Sequence, residues 1–310
     1  MDYAKFIEDQ TAELQKTVGD AIAINALSGG VDSAVVTVLG HRALGDKLKT
    51  IFVDNALMRE GEPQRVVDSF AEMGIPVELV DAREEFLGAL AGKTDPEDKR
   101  NAITQTFYAD VFGKIVKDSG AKFLVHGTIL TDIEETVAGI KRQHNILAQL
   151  GIDPQEAYGY KVLEPLSTIR KDGVREVAKL LDMPGEMVHR IPFPGPALAT
   201  RIVGEITTER LATVRAATSI VEEELADTGA FQYMAVLLND RATGIRDNQR
   251  EFGQIIVVRC IESTDARTAT ATELPWDKLN RICERVVQIP DVNRCLYDLT
   301  PKPPATVEYI

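Results

Sequence analysis

An apolar run, Ala21 to Leu27, ends in Ser28-Gly-Gly-Val-Asp-Ser33 and passes without a spacer into a second apolar stretch with helical spacing, Asp32 to Leu44. A strand that turns into a helix through two adjacent glycines constrains a chain strongly. Gly29 and Gly30 remove two side chains where backbone must approach an anion closely, while Ser28 and Ser33 supply hydroxyl donors. The helix aims its unsatisfied N–H groups and the positive end of its dipole at the same point. A phosphate cradle is therefore predicted. Asp32 lies inside it, where a bare carboxylate repels phosphate and a bound Mg²⁺ turns the repulsion into a bridge. Taken alone, the same residues also describe a plain diglycine turn with Asp32 as a helix N-cap. The strand before and the helix after favour the cradle. No lysine follows the glycines, so this is not the GxxxxGK[ST] loop.

The rest of the first 190 residues keeps the alternation. Strand-like runs at 21–27, 50–54, 77–81, 122–126 and 160–163 are separated by helical patterns at 32–44, 61–73, 96–117 and 172–181. An amphipathic helix is expected at the N-terminus. Strands joined by crossover helices imply an α/β, doubly wound parallel sheet, with ligands at the carboxyl ends of its strands. Arg190-Ile-Pro-Phe-Pro-Gly-Pro196 places three prolines and a glycine in seven residues, which suits neither helix nor sheet interior. A domain boundary is placed there, giving domains 1–189 and 190–310. Beyond it a helix (208–226) precedes strands at 232–238 and 254–261, and a second helix (276–287) precedes strands at 294–299 and 305–309. This order predicts a smaller C-terminal α+β domain with helices on a mixed sheet.

With 310 residues the chain can bury two cores, and 44% hydrophobic with 27% charged residues is a globular profile. No window offers the roughly 18 to 20 consecutive apolar residues of a membrane span. The acidic N-terminal stretch has no apolar core of a signal peptide. A net charge of −13 disfavours nucleic acid and anionic membranes as partners. Cys260, Cys283 and Cys295 have no CxxC spacing and read as reduced thiols of a cytoplasmic protein.

Further motifs sharpen the reading. They are Phe52-Val-Asp-Asn-Ala-Leu-Met-Arg59, Lys93-Thr-Asp-Pro-Glu-Asp-Lys-Arg100, His126-Gly-Thr128, Asp132 with Glu135, and Ile140-Lys-Arg-Gln-His-Asn145. After them come the proline-rich segment with Arg201, and Asp298-Leu-Thr-Pro-Lys-Pro-Pro-Ala-Thr-Val-Glu308. In this order, over nearly the whole chain, they resemble the ATP-pyrophosphatase subunit of two-subunit GMP synthetases. The glycine loop is similar to the PP-loop of that superfamily, an adenine nucleotide α-hydrolase-like fold.

The resemblance implies Mg²⁺-dependent cleavage of ATP between its α- and β-phosphates, adenylation of XMP, and amination by ammonia. It implies ATP contacts from Ser28, Gly29, Gly30, Val31, Asp32, Ser33, Val53 and Gly127, with Asp32 holding the metal. It implies XMP contacts from Arg59, Arg201, Gln232, Arg294, Lys302, Val307 and Glu308. Asp132, Glu135, Lys141 and His144 would join Asp32 as catalytic residues, on a lid over the reacting groups. At 142 and 143 the family pattern has a small hydroxyl residue and a histidine, and this chain has Arg142 and Gln143. No cysteine sits in a glutaminase setting, so a separate glutamine amidotransferase subunit or free ammonium would supply nitrogen. A homodimer through the C-terminal domain is the family expectation. A PP-loop paralogue acting on another substrate, and a regulatory nucleotide-binding paralogue, are the alternatives.

Overall fold

The computed structural model describes residues 1–137, 159–188, 193–264 and 266–310. Along the chain the elements are α1 (Tyr3–Val18), β1 (Ala23–Leu27), α2 (Val31–Leu44), β2 (Leu48–Asp54), α3 (Glu62–Glu72), β3 (Glu78–Asp81), α4 (Arg83–Leu90), α5 (Pro96–Gln105), α6 (Gly113–Ser119), β4 (Phe123–Val125), α7 (Leu130–Val137), β5 (Lys161–Leu163) and α8 (Lys171–Leu180). They continue with α9 (Thr208–Leu225), β6 (Gln232–Arg246), β7 (Gln249–Glu262), β8 (Thr270–Ala271), α10 (Trp276–Val286) and β9 (Val292–Tyr297). Two compact units emerge. The first comprises 1–54, 63–82 and 104–190, and the second comprises 55–62, 83–103 and 191–310. The division is thus not linear, since two short segments from the first half of the chain belong to the second unit.

In the first unit five parallel strands run in the order β3-β2-β1-β4-β5. Chain order reverses between β1 and β4, so the crevice between their carboxyl ends is the topological switch point where such sheets bind ligands. β1 and β2 are almost continuously apolar because both of their faces are covered. The edge strand β3 is short and largely exposed. Helix α2 is buried around most of its circumference, including Val35, Val36 and Leu39. It packs against α1 and α8. A polar contact in this core joins Thr37 Oγ1 to Asn25 Oδ1 on β1 at 3.0 Å. A Cβ on Gly173 of α8 would lie 2.9 Å from the Tyr3 hydroxyl of α1, so the tyrosine lies directly over that glycine.

The expected helix 96–117 is three pieces: α5, a π-helical stretch (Thr106–Phe112) and α6. Helix α4 has no counterpart among the sequence expectations, because it is short and only Phe86 and Leu90 are buried.

In the second unit β6 and β7 form an antiparallel hairpin from Gln232↔Ile261 to Arg246↔Gln249. It is longer than the expected strands. Its outer half is mostly polar and exposed or half-buried, with Ile245 and Phe252 also exposed, so burial alternation does not mark it. Asp247 and Asn248 close it with φ of 50° and 60°, the double left-handed pair that a two-residue hairpin turn needs. β8 adds antiparallel and β9 parallel to β7, which makes the sheet mixed. α9 covers β6, and α10 packs on α9. Met234, Val236 and Val257 centre a core against which Val203, Leu238 and Tyr309 pack.

The expected strand 305–309 is not formed. Pro303 and Pro304 remove ladder donors just before it. The tail is held instead by Arg259, which is 1% exposed and donates to the Thr300 and Thr306 carbonyls and to Asp298.

Candidate active site

The cradle is built at the end of β1. Gly29 has φ 77°, a left-handed turn that a side chain would strain. Ser33 Oγ locks the loop, accepting from the Ser28 amide at 3.2 Å and donating to the Gly30 carbonyl at 2.9 Å. The Ser28 and Ser33 hydroxyls are 3.0 Å apart. Gly30 is the N-cap of α2 and offers no capping side chain. The first-turn N–H groups therefore keep their capacity for an anion. Val31 is buried and anchors the turn, whereas Ser28 and Gly30 are exposed. The cradle is thus rigid beneath and open above.

Across the switch point Gly127 follows β4. A Cβ there would stand 3.1 Å from both the Asp32 carbonyl carbon and the Ser33 amide nitrogen. His126 Nδ1 and Thr128 Oγ1 on either side are 2.8 Å apart, and Thr128 donates to Glu164 at 2.6 Å. Val53 is 5% exposed near the end of β2.

Asp32 Oδ2 receives the Lys171 ammonium at 2.5 Å. Its Oδ1 is buried with no hydrogen-bond partner. An orphaned carboxylate oxygen beside a phosphate cradle fits Mg²⁺, which takes one or two carboxylates and completes its shell with substrate phosphates and water. Among the described residues no cluster of three or more His, Cys, Asp or Glu side chains is poised to cage a metal. Asp32 is accordingly the residue that would hold the ion together with a nucleotide.

Asp132 lies in the first turn of α7, and its Oδ2 accepts from the Ile129 amide at 3.1 Å. That bond fixes the start of the helix. Glu135 follows one turn on, but its side chain, with Lys141 and His144, lies outside the described residues.

The second unit gathers four of the remaining predicted residues. The Arg59 guanidinium is 3.9 Å and that of Arg201 4.8 Å from the centre of the Phe193 ring. Arg59 Nε bonds Glu222 at 2.6 Å. Arg201 is 0% exposed, and both of its terminal nitrogens lack hydrogen-bond partners, as does Arg59 Nη1. Burial pulls the Arg201 guanidinium down from its ordinary value, and Glu308 partly offsets this. Glu308 accepts from Thr200 Oγ1 at 3.2 Å, from Arg201 Nε at 3.4 Å, and from Gln232 Nε2.

Three terminal nitrogens of these two guanidinium groups thus lack a hydrogen-bond partner, although Glu62 stands 3.7 Å from Arg59 Nη1, and such buried donors are costly until paired. Lys302 is held elsewhere, donating to the Ala266 carbonyl at 2.6 Å. Arg294 is exposed on β9 and bonds its neighbour's carbonyl, and Val307 is half-buried in the tail. Reasoning from sequence did not single out Lys171, Thr200 or Glu222, and treated Phe193 as linker. The signal for Lys171 is its place at the first residue of a helix, where a cation opposes the dipole.

A five-stranded parallel sheet with a diglycine anion cradle at its switch point defines the PP-loop ATP-pyrophosphatase class. A family model described as the GMP synthase C terminal domain matches residues 219–309. The chain is 49% identical over 311 residues to the B-type subunit of glutamine-hydrolyzing GMP synthase from Archaeoglobus fulgidus, covering 100% of both chains. It is 45% identical over 313 residues to the corresponding protein of Pyrococcus horikoshii, again covering 100% of both. With that of Methanopyrus kandleri it shares 45% over 317 residues and 99% of each chain. The chain belongs to this family of B-type GMP synthase subunits.

Proposed function

We propose that this chain is the ATP-pyrophosphatase subunit of a GMP synthase, a ligase that converts XMP, ATP and ammonia into GMP, AMP and pyrophosphate. The observation that carries this is the Ser28–Ser33 cradle at the sheet's switch point in a chain that aligns end to end with its GMP synthase relatives. Its lack of a P-loop lysine suits holding pyrophosphate as a leaving group.

The XMP C2 oxygen attacks the α-phosphorus, an O–P bond forms, and the bond to the β-phosphate oxygen breaks. The amides and hydroxyls of Ser28, Gly29, Gly30, Val31 and Ser33 bind the departing pyrophosphate, and the α2 dipole adds to that stabilisation. Mg²⁺, held by Asp32 with the nucleotide, supplies charge neutralisation when bound. Val53 and Gly127 border the adenosine. Ammonia then displaces AMP at C2 of the adenylated base and gives GMP.

We assign ATP chemistry to 1–189 and XMP recognition to 190–310 with Arg59. The segment bearing Arg59 belongs to the second unit, which supports grouping it with Arg201, Gln232 and Glu308. The two guanidinium groups suit the phosphate of XMP, whereas Lys302, Arg294 and Val307 are assigned to XMP on the sequence resemblance alone. Asp132 and Glu135 are assigned to the reacting end on sequence grounds. So are Lys141 and His144, which would supply charge and proton handling. A separate glutamine amidotransferase subunit supplies ammonia, and the second unit forms a homodimer. No helix among the described residues is long and apolar enough to cross a membrane, in keeping with a cytoplasmic location.

The test is the purified chain with ATP, Mg²⁺, ammonium and XMP. AMP, pyrophosphate and GMP formed in equal amounts, only with XMP present, are expected. ADP as product, or release that ignores XMP, sinks the assignment.

A further inference from the structure

Alternate residues of a strand share one face of a sheet, and directly opposed residues of an antiparallel pair share it too. Gln232 pairs with Ile261 and Met234 with Arg259, so Gln232 and Arg259 stand on the same face of the β6–β7 ladder. The C-terminal tail crosses that face. Tyr309 packs on the cluster of Met234, Val236 and Val257, and Glu308 accepts from Gln232 Nε2. Arg259 Nη1 donates to Asp298 Oδ2 at 2.7 Å and to the Thr300 carbonyl at 2.9 Å, while its Nη2 donates to the Thr306 carbonyl at 3.0 Å. One buried guanidinium thus grips both ends of the 300–306 loop, and the second grip lies two residues before Glu308. On the far side of Glu308 the Ile310 amide meets the Thr200 carbonyl at 3.3 Å, a longer contact.

Apolar residues could cover this face equally well, since a buried ion pair adds little net stability over apolar packing of the same volume. What apolar packing cannot do is set the register of the tail. Beyond Lys302 the tail forms no strand, so no ladder fixes how far along the face Glu308 falls. A planar guanidinium does fix it, because its donors point in set directions and two of its three acceptors here are backbone carbonyls. We infer that Arg259 is a positioning residue for XMP binding: acting through the tail, it sets the place at which Glu308 meets Gln232 and the nucleotide. Glu308 in turn accepts from Thr200 and Arg201, so a tail displaced along the sheet would lose several bonds at once. The inference rests on the reading that Glu308 contacts XMP, and it adds the residue that aims it.

The test measures kcat and the KM for XMP and for ATP in the full-length chain, with ammonium as nitrogen source. Wild type, Arg259→Lys, Glu308→Gln and the double variant are compared at a temperature where thermal melts show each to be folded. Lysine keeps the charge and loses the fork. Arg259→Lys is expected to raise the KM for XMP about 10-fold, the scale of one charged hydrogen bond misplaced. The KM for ATP, and kcat at saturating XMP, should stay within about twofold of wild type. In the Glu308→Gln background the same change should add less than about twofold, because the group it acts through is already altered. Asp298→Asn loosens the same guanidinium more mildly and should raise the KM for XMP in the same direction; it decides the matter if Arg259→Lys does not fold. A KM for XMP within about twofold of wild type in the deciding variant overturns the inference. Losses that multiply in the double variant, or an equal rise in the KM for ATP, overturn it too, since they mark Arg259 as merely structural. Wild type without XMP-dependent turnover, or Glu308→Gln with an unchanged KM for XMP, overturns the reading beneath it.

Discussion

A Cβ placed on Gly127 would come within 3.1 Å of the Asp32 carbonyl carbon, so the loop after β4 and the start of α2 touch backbone to backbone. Neither partner is a flexible side-chain end that could turn aside. Gly127→Ala must push the cradle and β4 apart by a few tenths of an ångström. Overpacking of this kind costs ~1–3 kcal/mol. Displaced phosphate donors are expected to raise the KM for ATP about 10- to 100-fold, with XMP binding unchanged. Steady-state kinetics on both substrates check this, and an unaltered KM for ATP would mean that the contact is not what shapes the cradle.

Asp32→Asn keeps the shape of the side chain and removes its charge. Because the Lys171 pair is solvent-exposed, the melting temperature should barely move. Pyrophosphate release should drop by about two orders of magnitude or more. Near-normal turnover in that variant would remove the metal role from Asp32.

Arg201 carries a charge at 0% exposure with two unpaired terminal nitrogens. It is paired with Glu308 at 3.4 Å, and removing one partner of a buried ion pair is destabilising, whereas replacing the whole pair by apolar residues is often neutral. Arg201→Met is therefore expected to melt at a lower temperature than wild type. It should bind XMP at least about 10-fold more weakly, the scale of one charged hydrogen bond lost. Calorimetric titration with XMP beside a thermal melt separates the two effects, and a variant that melts much lower while binding XMP normally would make Arg201 a structural residue.

Lys99 is 2% exposed and donates to the Ile202 carbonyl at 2.7 Å. Burial, assisted by the positive charge of Arg210, lowers its pKa from 10.5 to about 8. Its folded-state pKa therefore lies below the unfolded one, and between these values the unfolded chain binds more protons. Stability from this group must rise with pH across the interval from about 8 to 10.5. Below it the buried charge is a standing penalty. Lys99→Met removes the titration, so wild type should gain stability over the variant as pH increases from about 8 towards 10.5. Denaturant midpoints that run parallel across this range would contradict the assignment.

Much of the first unit was legible because its signals are local. The runs read at 21–27 and 50–54 are mostly apolar, as strands covered twice must be, and strands form at 23–27 and 48–54; Gly29 reads as the residue that a left-handed turn requires. The second unit was less so. The outer half of the β6–β7 hairpin is mostly polar and has no burial pattern to betray it. The expected strand at 305–309 failed because Pro303 and Pro304 offer no ladder donors just before it and the Thr306 carbonyl serves Arg259, a competitor remote in sequence.

By itself the order of residues determined the alternation of strands and helices, the diglycine cradle, and the family to which the chain belongs. Each of these depends on backbone conformation and side-chain periodicity within a few positions. Only the tertiary structure decided that Lys171 meets Asp32, that Arg59 and Arg201 share the Phe193 ring, and that Glu308 closes on Gln232. Those encounters bring together charges far apart along the chain. Their energies depend on burial and mutual distance, and both exist only once the sheets have assembled.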